Sequence, residues 1–154
     1  MKRFIALILM SIILCCSVSG YASTLETTTL AFELNYAFAM TKLGYTTDMT
    51  SIETEDSVMY FLTDNCIAVM SMEDSEIKSA VHIGFTRSND MTDEVSASMV
   101  AMAMSFDPSM SKTKEVTSFL VGLIKNGSDE TEYCAYQFAY NEETSIYTMT
   151  IAPK

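Results

Sequence analysis

Apolar and polar positions change period several times along this chain, and each change marks an element. Residues 4–14 are apolar apart from Ser11, with Lys2 and Arg3 before them and small, polar residues after them as far as Ala22. From Ser23 the spacing turns helical. Leu30, Leu34 and Phe38, with Ala31 and Ala37, recur behind the capping box Ser23-Thr24-Leu25-Glu26. Lys42 in the last turn and Gly44 just beyond it predict a helix end at Leu43-Gly44. The stripe of Leu30, Leu34 and Phe38 is the face expected to cover a sheet.

Beyond Thr46 the period shortens to that of strands, predicted over residues 57–63, 66–72 and 77–85. Asp64-Asn65 and Glu73-Asp74-Ser75 separate them as tight turns, which implies antiparallel neighbours. In the third strand Ile77, Val81, Ile83 and Phe85 share one face, with Ser79 as its one polar member. Lys78 and His82 take the other, polar face. Thr92 is the expected N-cap of a helix over 94–106 with Val95, Met99, Met102, Ala103 and Phe106 on its stripe. Asp107-Pro108 breaks it, because proline removes a donor and restrains the residue before it. Helix resumes over 112–125 on Val116, Phe119, Leu120, Leu123 and Ile124, and Asn126-Gly127 closes it. Strands over 133–140 and 145–151 then form a hairpin through Asn141-Glu142-Glu143, with Cys134, Tyr136, Phe138 and Tyr140 on one face.

The order α-β-β-β-α-α-β-β predicts one α+β domain. Its single antiparallel sheet has about five strands, with the N-terminal helix and the central broken helix on one face. The other broad face is left for solvent or a partner.

The leading apolar run changes the compartment. It spans about 11 residues, too short for a bilayer core that needs about 20, and its basic start and small residues before Ser23 read as a secretory signal peptide ending at Ala22. The domain then occupies residues 23–154, 132 of the 154 residues. An alternative is lipidation at Cys16, which would tether the domain to the outer face of a cell membrane. Either reading places it outside the cytoplasm, and the short loops suggest a bacterial surface or extracellular protein.

Charge narrows the partners. The net charge is −11, and it becomes −13 once Lys2 and Arg3 leave. Such a surface repels nucleic acid and anionic lipid, which leaves a protein or glycan partner or a second copy of the chain. Of four cysteines, Cys66 and Cys134 remain after export, and in an oxidising compartment they are expected to form one disulfide.

Chemistry-bearing residues are few. One histidine, His82, excludes multi-histidine metal sites, and two cysteines cannot build a structural zinc site. No nucleophile elbow, phosphate loop or calcium loop accompanies the acidic turns at Glu53–Asp56, Glu73–Glu76 and Ser128–Glu130. Methionine is abundant, 13 in all, and Met99-x-x-Met102-x-Met104 superficially resembles a thioether copper site. At helical spacing two of those three fall on a buried stripe, so core filler is the expectation and no metal or cofactor is assigned. Candidate contact residues are His82, Tyr136, Phe138 and Tyr140, the last three being core if they lie under the helices and a sticky platform if they do not. The functional expectation is an exported, non-enzymatic binding or self-association module. The alternatives are a small secreted hydrolase using His82 with a serine and an acid, or a secreted protein inhibitor.

Overall fold

The structure, a computed structural model, describes residues 28–87 and 90–154. The expected signal peptide, the capping box at Ser23 and the lipidation candidate Cys16 lie outside the described residues. Helix α1 (Thr29–Lys42) is capped by Thr28, whose Oγ1 accepts from Ala31 N at 3.2 Å. It ends at Leu43, with Gly44 at φ +87° in the left-handed region that a helix C-terminus favours.

Four strands follow: β1 (Thr50–Glu53), β2 (Ser57–Thr63), β3 (Cys66–Glu73) and β4 (Glu76–Phe85). Asp74 and Ser75, at φ +53° and +66°, make the turn between β3 and β4, as a two-residue hairpin requires. Helix α2 (Asp93–Phe106) starts at the Thr92 cap and stops at Asp107; α3 (Thr113–Asn126) ends on Gly127 at φ +79°. Strands β5 (Ser128–Glu130), β6 (Cys134–Asn141) and β7 (Ile146–Pro153) complete the chain.

These strands form one antiparallel sheet in the order β1-β2-β3-β4-β7-β6-β5. The α+β class and the element order stand, whereas the strand count is seven rather than about five. The two additional strands, β1 and β5, are short, polar, fully exposed edges with no alternation to read in the sequence.

The helices lie on one face. Register assigns the rows beneath them: Val58–Met70–Ala80–Ile151–Tyr136, then Tyr60–Ala68–His82–Met149–Phe138, then Cys66–Gly84–Tyr147–Tyr140. The first two rows, except partly buried Phe138, are almost fully buried.

Two expectations about which residues face the core are corrected. In β4 the register shifts between Ser71 and Met72, so that Ser71 pairs with Ser79 but Met72 pairs with Ile77. This bulge turns Ile77 to the helix side with Ala80 and His82, and sends Val81, Ile83 and Phe85 to the opposite face. His82 is therefore a core residue. In α1 the buried side chains are Phe32, Tyr36, Ala39 and Met40, while Leu30, Leu34 and Phe38 are more than 60% exposed (64%, 64% and 62%). Helix α1 carries two apolar stripes, and the buried one is richer in aromatic area. Phe32 packs within 5.6 Å of Tyr36, 5.2 Å of Tyr60 and 5.4 Å of Phe106, measured between ring centres.

Gly84 decides how closely α2 meets the sheet. A Cβ on it would sit 2.4 Å from Val95 Cγ1, so only glycine admits the first turn of α2 against β4. That approach brings Ser98, one turn further on, over His82.

Candidate functional site

His82 is fully buried. Its Nε2 lies 2.7 Å from Ser98 Oγ, and Ser98 Oγ lies 2.6 Å from Tyr36 OH. Nδ1 has no hydrogen-bond partner. A bare nitrogen lone pair is cheaper to bury than an orphaned N–H. The tautomer that fits has Nε2–H donating to Ser98, with Tyr36 O–H donating to the same oxygen. That leaves the Ser98 proton free to donate toward the neighbouring Cys66 sulfur, which opposes in part the effect of burial on that thiol. Burial lowers the imidazole pKa to about 3, because nothing nearby compensates a positive charge there. Burial likewise raises the Cys66 thiol and the Tyr36 hydroxyl.

The histidine thus meets a serine at catalytic distance but has no acid partner and no opening through which a substrate could arrive. His82, Ser98, Tyr36 and Cys66 are each at most 1% exposed. The four groups tie α1, α2, β3 and β4 together and leave no nucleophile accessible. Of the serines near His82 in sequence, Ser79 lies on the other sheet face, bonded to Ser71 Oγ at 2.7 Å, and Ser88 is outside the described residues.

A second buried polar knot surrounds Asp107, which is 1% exposed. Its Oδ1 accepts from Ser109 N at 2.9 Å and Ser109 Oγ at 2.6 Å, and its Oδ2 from Thr131 Oγ1 at 2.5 Å and Tyr136 OH at 2.9 Å. The carboxylate that ends α2 therefore anchors the α2–α3 corner to the β5–β6 turn and to β6. Lys154 Nζ donates to Thr131 O at 2.8 Å and pairs with Glu130 at the same distance. Cys134 lies beside this knot, its thiol raised to about 12 by burial and by the Asp107 charge.

The disulfide expectation is corrected here. Cys66 and Cys134 are both buried free thiols. Their rows cross β7 at Tyr147 and Pro153, about 20 Å apart along the strand, and a disulfide needs Cα atoms within about 7 Å. No intrachain bridge is possible in this fold.

The aromatic candidates also resolve into core. Tyr136 packs edge-on against Phe119 at 4.9 Å beneath α3, and burial raises its hydroxyl pKa. Phe138 and Tyr140 are partly covered, each beside Tyr147, with Tyr140 stacked on it at 4.3 Å. They share the helix side of the sheet and form no platform on the other. Met99 and Met102 fill the core under α2, as their spacing predicts. The acidic turns Glu53–Asp56 and Glu73–Asp74 meet at one end of the sheet and line a cavity of about 430 Å³. Among the described residues no three acidic, histidine or cysteine groups are placed to hold a metal ion. No described helix is long and apolar enough to cross a membrane.

What remains is the opposite sheet face, on which no described helix or strand packs. Register defines its rows as Ile52–Met59–Val69–Val81–Thr150–Gln137 and Thr50–Phe61–Ile67–Ile83–Thr148–Ala139. Ser57–Ser71–Ser79 flank the first row, and Phe85–Ile146–Asn141 flank the second. None of these residues is charged, in a chain where 19% of residues are; the pair Glu73–Glu76 on the same side and the groove-lining Asp56 lie beyond them at one end. Val81 and Ile83 at the centre are buried, whereas Ile52 and Phe61 toward the β1 edge are 56% and 42% exposed. A shallow groove of about 310 Å³ crosses the face between Ile52, Met59, Val69 and Val81. The β4 bulge that placed His82 in the core is what delivered Val81 and Ile83 to this surface. The sequence predicts an open broad face but not its residues, because the odd-numbered and even-numbered residues of β2 to β4 are almost equally apolar. Comparison with family models, curated proteins and solved structures returns no match for the chain.

Proposed function

We propose that this protein is an exported, non-enzymatic binding module whose working surface is the charge-free sheet face formed by β1 to β4 and β7. The face itself carries the reading. Contiguous apolar surface rimmed by polar residues is the usual mark of an association site, and here its two central rows cross five strands without an ionised side chain. The only histidine has no route to solvent, which argues against a hydrolase built on His82. Export is supported by the basic start, short apolar run and small residues of segment 2–22.

The test is site-specific photo-crosslinking in the exporting cell, with p-benzoylphenylalanine in place of Phe61 on the face or of Leu34 on the outer side of α1. Adducts at position 61 and not at 34 are expected. Adducts at 34 alone, or at neither position, would contradict the proposal.

A further inference from the structure

We infer that the occupant of the charge-free face is a second copy of this chain, stacked face to face as a two-fold β-sandwich; this rests on the binding-face reading above. Three features of the molecule converge on it.

The first is where the chain cannot associate. Both sheet edges are blunted, since β1 and β5 are only four and three residues long, wholly exposed, and carry Glu53, Asp129 and Glu130. Edge-to-edge extension would bring these edge acids together, so growth through the sheet edge is disfavoured and the broad face is left.

The second is charge. Two exported copies, each carrying −13 once Lys2 and Arg3 have left the −11 chain, repel, and a stable contact between them must exclude ionised groups from its centre. The two central rows of this face do so, and the charged pair Glu73–Glu76 and the groove-lining Asp56 lie beyond them at one end. Its acids gather at one end, on the Glu53–Asp56 and Glu73–Asp74 turns. A two-fold axis lying in the interface and perpendicular to the strands sets these acidic ends at opposite extremes of the dimer. An axis parallel to the strands would superpose them, so the strands of the two copies run antiparallel.

The third is size. Five strands and four rows of side chains cover about 25 Å by 25 Å, about 600 Å² per copy and about 1,200 Å² for the pair, which reaches the range of stable interfaces. Sheets stacked this way sit about 10 Å apart with strands about 30° from alignment, and the exposed Ile52 and Phe61 of one copy enter the shallow groove of the other.

The experiment is light scattering and sedimentation of the protein recovered after export, over a hundredfold range of concentration and at low and high salt. The wild type is expected at twice the mass of one chain, with association strengthened by salt because screening relieves like-charge repulsion. Phe61→Glu should give a monomer with an unchanged unfolding transition, and Leu34→Glu should leave the dimer intact. A dimer that survives Phe61→Glu but dissociates on Leu34→Glu overturns the inference, as does association weakened by salt, which would indicate a basic partner surface. So does an intrachain crosslink from position 61 to residues 1–27. A monomer throughout overturns the second copy. If position 61 still crosslinks to a different molecule in the cell, the binding-face reading stands; if it crosslinks to nothing, that reading falls as well.

Discussion

His82 and Asp107 show how single residues set the character of this core. His82 is neutral in the fold, with a pKa lowered to about 3 against an ordinary value of about 6.5 in the unfolded chain. A lowered histidine pKa means that the unfolded state takes up the proton first. The associated stability is therefore whole above about pH 6.5 and is lost as pH falls toward 3, by on the order of 4–5 kcal/mol at the limit. Urea denaturation of wild type and His82→Gln across pH 3–7 should show a steep decline in the wild type and a shallower one in the variant. Equal slopes would mean that His82 does not titrate this way. Asp107 receives four hydrogen bonds, so Asp107→Asn turns an amide donor toward groups that are themselves donors. The expected loss is about 2–4 kcal/mol, against about 1 kcal/mol for Tyr136→Phe, which removes one bond only. Comparable midpoints for the two variants in chemical denaturation would contradict this account of the knot.

Elements were read from the sequence most accurately where punctuation was strong. Gly44, Thr92, Asp107-Pro108 and Gly127 each ended or began a helix where capping chemistry requires it. The hairpin turns fell at Asp64-Asn65 and Asp74-Ser75. Facing was harder. Helix α1 has Leu30, Leu34 and Phe38 on one stripe and Phe32, Tyr36 and Met40 on another, and only packing against Tyr60 and Phe106 chooses between them. In β4 a single bulge reverses the phase, and alternation alone cannot reveal an extra residue. The candidate site was legible only as a possibility, that one sheet face is left open. Its residues were not, because they depended on that phase. Gly84 is the element-scale hinge of this arrangement: Gly84→Ala should cost about 1–3 kcal/mol by driving a methyl into Val95. Adding Val95→Ala should cost less than the two single losses summed, with a coupling of about 1 kcal/mol or more. Simple additivity in thermal or urea unfolding would remove close packing at Gly84 as the cause.

At the scale of the whole molecule, stability comes from one continuous core and not from a covalent staple. Cys66 and Cys134 sit on distant rows with their thiol pKa values raised. Alkylation at pH 8 should leave the folded protein unmodified and add two adducts once it is unfolded without reductant. Fewer than two adducts in that unfolded sample would revive a disulfide. The same core leaves the molecule two-sided, with helices and buried polar knots on one side of the sheet and a charge-free surface on the other. Methionine supplies natural reporters on both sides, Met59 on the open face and Met99 and Met102 in the core. The most direct test of the account is methyl NMR of methionine-labelled protein with a soluble paramagnetic agent, at high concentration and high salt. Met59 of the wild type is predicted to be as protected from the agent as Met99, and to become accessible in Phe61→Glu while Met99 does not change. Equal broadening of Met59 in both proteins would mean that this face stays bare in solution and is not where the protein associates.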